Sequence, residues 1–280
     1  MKKITVLLLL FIAVKASAQK SVLFKMKYMP QRTYNILMNM KGDIKADLSG
    51  NQDILDKLKE QGITMPLVAA ISVKTTGTTK TGVLAADNSF PLAMTFLVEQ
   101  PSVTLNGKIA PIPIQQKPAT TIYAHVLADG IIKGDSISGK KADTTSGKAA
   151  LKMMGTIQKQ IKFPDHPMHV GESFTQDIPF NMPMNMGGSS VDSKAVYTLV
   201  NIADGKAYFD MTQTIDMKMN IQQAQLTIAG GGTGKMIYSI KDSFPISYTS
   251  SVNMNVNGDV SSVVVKGSFL MDLDFKYDIN

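Results

Sequence analysis

The side chains best suited to metal chemistry stand close together in one stretch of the sequence. Asp165-His166-Pro167-Met168-His169 is followed by Met182-Pro183-Met184-Asn185-Met186. Thioether sulfur and imidazole nitrogen are soft donors of the kind that hold Cu(I) or Ag(I), and Met182, Met184 and Met186 would project from one face of a strand. Against this, His166 and His169 are three apart in a proline-flanked segment, which puts them on opposite faces if the chain is extended. Methionine pairs at the same spacing recur at Met38/Met40 and Met217/Met219 with no histidine near. An apolar surface built from a flexible side chain is therefore preferred, and a copper or silver site at His166, His169, Met182, Met184 and Met186 is kept as the alternative.

Patterns for catalysis are weaker still. Ser138-Gly-Lys140-Lys141, Ser251-Val-Asn253 and Lys80-Thr81-Gly82 contain the three short signatures of penicillin-recognising enzymes, but in the wrong chain order. Gly230 to Lys235 is glycine-rich yet lacks the spacing and the Ser or Thr after Lys that a phosphate loop requires, and it reads as a flexible turn between strands. His125 lies in the alternating segment Ile122 to Leu127 with no partner in register. Asp272 and Asp274 share a strand face about 7 Å apart, a workable spacing for acid and base, but they continue a polar, solvent-facing row. No catalytic set survives, and no cofactor is implied. Asp135-Ser136-Ile137 and Asp143-Thr144-Thr145 fit the Asp-Ser/Thr-apolar pattern of bacterial O-glycan acceptors at Ser136 and Thr144, but such short patterns are common and a polar loop before the second helix is preferred.

The amino terminus carries an address. Lys2 and Lys3 form a basic region, Ile4 to Val14 an apolar one, and Ala16-Ser17-Ala18 a small-x-small cleavage site, so a secretory signal is expected over 1–18 with cleavage between Ala18 and Gln19. The apolar run falls short of the roughly 20 residues that span a bilayer, and no cysteine follows to carry a lipid. The expected location is the periplasm or the cell exterior, without integral insertion.

Composition narrows the partners. Losing Lys2, Lys3 and Lys15 with the signal takes the basic count from 29 to 26 against 22 acids. The remaining excess is nearly all lysine, with Arg32 the only arginine, so the bidentate contacts that read phosphates and bases are missing and nucleic acid is not an expected partner. The absence of cysteine removes disulfides, thiolate metal sites and thiol nucleophiles together. Stability must come from burial.

Burial is written in period-two alternation. Tyr34, Ile36, Met38, Met40, Ile44, Ala46 and Leu48 are apolar while Asn35, Asn39, Lys41, Asp43, Lys45 and Asp47 alternate with them, Gly42 marking a bend or bulge. Phe209, Met211, Ile215, Met217, Met219 and Ile221 repeat the pattern, as do Tyr248, Val252, Met254 and Val256, and then Phe269, Met271, Leu273, Phe275, Tyr277 and Ile279. Strands this long exceed about 30 Å and tend to curl. Two helices interrupt them. Asn51 caps one that runs through Gln61 and stops at Gly62, and Thr145 or Ser146 caps another that carries Ala150, Met153, Met154, Ile157 and Ile161 on one side until Pro164. Pro101 to Pro118 reads as an irregular crossing or edge segments.

The expected fold is mainly β: a long, curved antiparallel sheet, half-barrel or barrel-like, with two amphipathic helices packed on its apolar face. Tyr34…Gly42 and Gly77…Phe90-Pro91 in the first half resemble Tyr197…Gly205 and Gly232…Phe244-Pro245 in the second, which suggests an internal duplication without requiring it. The organisation is then a first β unit with one short helix over 19–144 and a helix plus second β unit over 145–280, alone or merged into one domain.

A signal ending in Ser-Ala-Gln, the turn-like Phe163-Pro-Asp-His-Pro-Met-His-Val-Gly171-Glu-Ser-Phe174, and Gly230-Gly-Gly-Thr-Gly234 before Ser243-Phe-Pro245 together resemble an uncharacterised family of exported bacterial proteins, domain of unknown function 6263. The resemblance implies a secreted β-rich protein and transfers no functional residue. Long strands with a few covering helices are also similar, at the level of fold, to periplasmic carriers of the LolA and LppX type. The expected function is non-enzymatic binding of a lipid, an acyl chain, another small hydrophobic molecule or a lipoprotein segment. Met38, Met40, Met153, Met154, Met217 and Met254 are expected in the lining. A cell-envelope structural protein that contacts other envelope proteins and has no cavity is the other reading. An outer-membrane barrel fits the alternation, but the chain lacks Trp and evident aromatic girdles.

Overall fold

A computed structural model gives the fold and describes residues 21–60, 62–110, 119–137, 140–141, 161–177, 190–221, 224–260 and 262–280. In chain order the elements are β1 (Ser21–Val22), β2 (Thr33–Gly50), helix α1 (Gln52–Glu60), β3 (Leu67–Thr81), β4 (Phe90–Val98), β5 (Ser102–Leu105), β6 (Lys108–Ile109), β7 (Thr120–Val126), β8 (Ile132–Ile137) and β9 (Lys140–Lys141). There follow β10 (Met168–His169), β11 (Ser173–Asp177), β12 (Ser190–Ala203), β13 (Lys206–Ile221), β14 (Ala224–Ser239), β15 (Phe244–Val260) and β16 (Val263–Ile279). The chain is mostly β.

Fourteen strands join one antiparallel sheet in the order β11-β12-β13-β14-β15-β16-β2-β3-β4-β7-β8-β9, with β5 and β6 attached beside β3; the path is open and does not close into a barrel. The sheet runs from the second half of the chain into the first through β16 and β2, which pair along seventeen positions from Val263↔Gly50 to Ile279↔Tyr34.

Register shows why the alternation specifies this arrangement. Ile36, Met38, Met40 and Ile44 stand level with Tyr277, Phe275, Leu273 and Phe269 of β16. Those in turn stand level with Tyr248 and Met254 of β15. A slip of one residue at any pair would turn a whole apolar row outward, so the rows hold one another in place on a single inner face.

That face closes at one end with aromatic side chains. Residues 23–32 run across it, tied by the Tyr238 hydroxyl donating to the Lys25 carbonyl at 2.6 Å and by the Met29 amide donating to the Tyr34 hydroxyl at 2.8 Å. Phe24, 2% exposed, packs its ring against Phe163, Phe209 and Tyr238 at centroid distances of 5.3, 5.1 and 5.1 Å. A second apolar cluster of Phe90, Leu92, Met94, Ile122 and Ala124 fills the first-half end of the sheet.

Several expectations need correction. Gly42 is not a bend: it lies inside β2, level with Met271, and a Cβ there would stand 2.8 Å from the Phe269 ring, which occupies the space instead. Gly230 to Gly234 is not a flexible turn but the middle of β14. Helix α1 begins as expected, with Asn51 Oδ1 accepting from the Ile54 amide, and ends as expected, with Gly62 at φ +78° and the Ile63 amide donating to the Leu58 carbonyl. It does not cover the apolar face, because none of its residues is buried and its main strand contact is β2, the strand it follows. The second helix falls outside the described residues. Pro101 to Pro118 begins as the short off-path strands β5 and β6, and 111–118 fall outside the described residues.

Candidate functional site

The inner face carries two neighbouring recesses. The first, about 270 Å³, is lined by β12, β13, β15, β16 and β2, with Met26 and Ile161 completing the wall. The second, about 350 Å³, lies further along the same face among Met217, Ile228, Met254, Val256 and Phe269. Ile215, Val252 and Met254 form a small buried cluster at this part of the sheet.

β14 is glycine-rich where its neighbours β13 and β15 contribute to the first recess. Gly230, Gly232 and Gly234 point inward, level with Ile215, Gln213 and Met211 on one side and with Met254, Val252 and Ser250 on the other. With no side chains on the strand between them, residues of β13 and β15 meet directly. A Cβ at Gly230 or Gly232 would stand 2.1 Å from the Asn253 or Ser251 carbonyl oxygen, and one at Gly234 would stand 2.4 Å from Met211 Cε. Glycine is thus required by close approach of backbone and side chain, not by turn geometry.

A polar network sits inside this otherwise apolar pocket. Ser250 Oγ donates to Gln213 Oε1 at 3.1 Å, the Gln213 amide donates to the Tyr248 hydroxyl at 3.1 Å, and that hydroxyl donates to Met211 Sδ at 3.3 Å. The Tyr197 hydroxyl interacts with that of Tyr248. Burial pushes the phenols of Tyr197, Tyr248 and Tyr277 above the ordinary tyrosine range, since a phenolate there would lose its hydration. Ser193, 4% exposed, also lines the recess, and its Oγ has no hydrogen-bond partner among the described residues. No charged side chain is among the described lining residues.

The expected methionines divide between the recesses. Met38 lines the first, and Met217 and Met254 line the second. Met40 lies on the same face, level with Leu273 and Val73. Met153 and Met154 fall outside the described residues, as do Ala18, Gln19, Met182, Met184, Met186 and Thr144. The polar members of the site were not anticipated. Their signal was present: the apolar rows of β13 and β15 each skip one inward position, Gln213 and Ser250.

The remaining candidates are scattered. His166 is exposed, with Nδ1 at 3.2 Å from the Pro167 carbonyl, whereas His169 is half-buried in β10 and its amide donates to Glu172 Oε2 at 2.9 Å. No group of three or more His, Cys, Asp or Glu among the described residues could hold a metal. His125 does have a partner: a bulge in the β7–β8 pair brings Asp135 Oδ2 within 2.5 Å of its Nδ1 at the surface. Ser136 is half-buried in β8, level with Tyr123. Asp272 and Asp274 lie on the polar outer face, level with Lys41 and Asn39, and Lys276 Nζ donates to Asp274 Oδ2 at 3.0 Å. Ser251 stands level with Asp272, which stands level with Lys41 and so with Ser72, while Lys80 is eight residues further along β3. The penicillin-type signatures are therefore not assembled.

No family model matches the chain, and no curated protein does. Among solved structures, the chain is similar to Pseudomonas aeruginosa OccK7 (OpdD), with a TM-score of 0.21 and 6% identity over 88% of this chain and 99% of that one. It is similar to the outer membrane protease OmpT from Escherichia coli, with a TM-score of 0.17 and 9% identity over 90% and 98%. For the botulinum neurotoxin serotype C1 binding domain the TM-score is 0.13 and the identity 8%, over 86% of this chain and 79% of that one. Scores this low assign neither family nor activity. No helix among the described residues is long and apolar enough to cross a membrane.

Proposed function

We propose that this chain is an exported, non-enzymatic binding protein that carries a small hydrophobic molecule on the inner face of its curled sheet. The observation that carries the reading is the pair of recesses on one apolar face, walled by methionine, aromatic and aliphatic side chains. Methionine suits such a wall because its unbranched, polarisable side chain adapts to varied apolar shapes. The first recess, at about 270 Å³, falls just below the roughly 300–1,000 Å³ typical of small-molecule pockets, and it combines an apolar lining with a few convergent polar groups, as such sites do. The alternating polar outer face keeps the carrier in water while its cargo is shielded. The basic amino terminus followed by an apolar run and Ala16-Ser17-Ala18 supports export.

The chain contains no Trp, so one can be placed as a unique reporter. In a Met38→Trp variant, uptake of the neutral probe N-phenyl-1-naphthylamine should quench the introduced indole by energy transfer and brighten the probe. Absence of saturable transfer, with the fold intact by circular dichroism, would overturn the reading. Native mass spectrometry of protein purified from its source should then show a retained mass increment.

A further inference from the structure

Resting on that reading, we infer that the first recess selects an uncharged amphipath, one with a short apolar body and a hydroxyl or carbonyl head seated at Ser193, and rejects the ionised carboxylate of the same chain length. The inference starts from Ser193. Ser193 on β12 is 4% exposed and lines the recess, and its buried Oγ lacks a partner among the described residues, whereas Gln213, Ser250 and Tyr248 in the same pocket satisfy one another. Buried hydroxyls left unpaired destabilise a protein, so one retained at a cavity wall marks where a ligand atom would complete the bond.

The charge of the head follows from the rest of the wall. Tyr197, Tyr248 and Tyr277 are the only titratable groups among the described lining residues, which include neither Lys nor Arg. A carboxylate or phosphate entering it would lose its hydration with no cation among the described lining residues to replace the loss. A neutral hydroxyl, ester or amide loses far less and recovers it through one bond to Ser193. The network beside it reinforces the choice. Gln213 and Ser250 are committed to each other across β14, so they do not offer the converging donors that would stabilise an anion.

The test displaces N-phenyl-1-naphthylamine from the full chain with 1-decanol and with decanoate. At about pH 8, where the carboxyl is ionised, decanol should displace the probe at least about a hundredfold more effectively. At about pH 4, where decanoic acid is largely neutral, the gap should close while decanol is unchanged. Ser193→Ala should weaken decanol about fivefold, the effect of one lost hydrogen bond. Equal displacement by decanol and decanoate at about pH 8, or a Ser193→Ala variant that binds decanol as the parent does, would overturn the head-group inference while the cavity reading stands. Failure of the probe to bind at all would overturn both.

Discussion

Ser250 Oγ donates to Gln213 Oε1 at 3.1 Å although a complete strand, β14, lies between the strands that carry them. Strands two apart in a flat sheet are separated by about 9.5 Å, so the bond reports both sharp curling and an empty middle row. Gly232, level with Gln213, and Gly234, level with Ser250, provide the emptiness. Gln213 and Ser250, brought together over these residues, form part of the wall of the candidate pocket.

Adding one carbon to that row should be costly. A Cβ in Gly232→Ala would meet the Ser251 carbonyl at 2.1 Å, which forces β14 and β15 apart. A loss of at least about 2 kcal/mol is expected from urea unfolding, against less than about 0.5 for the exposed neighbour Thr233→Ala. Equal midpoints for the two variants would contradict the account.

Ser193→Ala should act in the opposite direction on stability. Removing an unpartnered buried hydroxyl eliminates an unmet desolvation cost, so the unliganded variant is expected to be as stable as the parent or up to about 1 kcal/mol more stable. Thermal unfolding without ligand checks this, and a loss above about 1 kcal/mol would show that the hydroxyl is satisfied within the protein.

The segment crossing the sheet end is held by packing more than by hydrogen bonds. Phe24→Ala empties a site contacted by three rings and should cost about 3–5 kcal/mol, whereas Tyr238→Phe, which removes the bond to the Lys25 carbonyl, should cost about 1–2. Proteolysis near residue 25 should accelerate far more in the first variant.

Alkaline stability follows from the raised phenols of Tyr197, Tyr248 and Tyr277. A group whose folded pKa lies above its unfolded value favours the fold fully below the unfolded pKa, which for tyrosine is about 10, and loses that contribution as pH climbs beyond it toward the folded value. Unfolding free energy should be level from about pH 7 to 9 and fall above about 10, with phenolate absorbance from these residues appearing together with loss of structure. Phenolate formation from them in the intact fold at about pH 10 would contradict the prediction.

The surface pair of His125 and Asp135 should matter little, since both side chains are about half exposed. Asp135→Asn is expected to change stability by less than about 1 kcal/mol.

The long amphipathic ribbons were legible because alternation with one buried face leaves a single consistent register: Met38 and Phe275 stand level on the same inner row. The cap at Asn51 and the stop at Gly62 were legible because local hydrogen bonding determines them. The glycines misled for a physical reason. A sequence shows that Gly42 and Gly232 lack side chains, but only the neighbouring strands show whether that absence serves a turn, an aromatic ring or a close approach of backbones. Gln213 and Ser250 interrupt the apolar rows of β13 and β15, and their partnership crosses an intervening strand, a contact that no local pattern encodes.

Strand β16 sits between β15 and β2, so the two halves of the sheet have no direct pairing without it. Its contacts with β2 join residues more than two hundred positions apart, such as Ile279 and Tyr34. Closing so large a loop is slow, and it must occur late, after everything between has been synthesised. Until then β2 and β16, the latter already paired with β15 in a tight hairpin, are edges with apolar side chains on one side, the kind of template that recruits other chains. The joining of β16 to β2 is thus the step that unites the two halves of the sheet, and substitutions that weaken it are expected to show first as aggregation on refolding rather than as loss of a finished site.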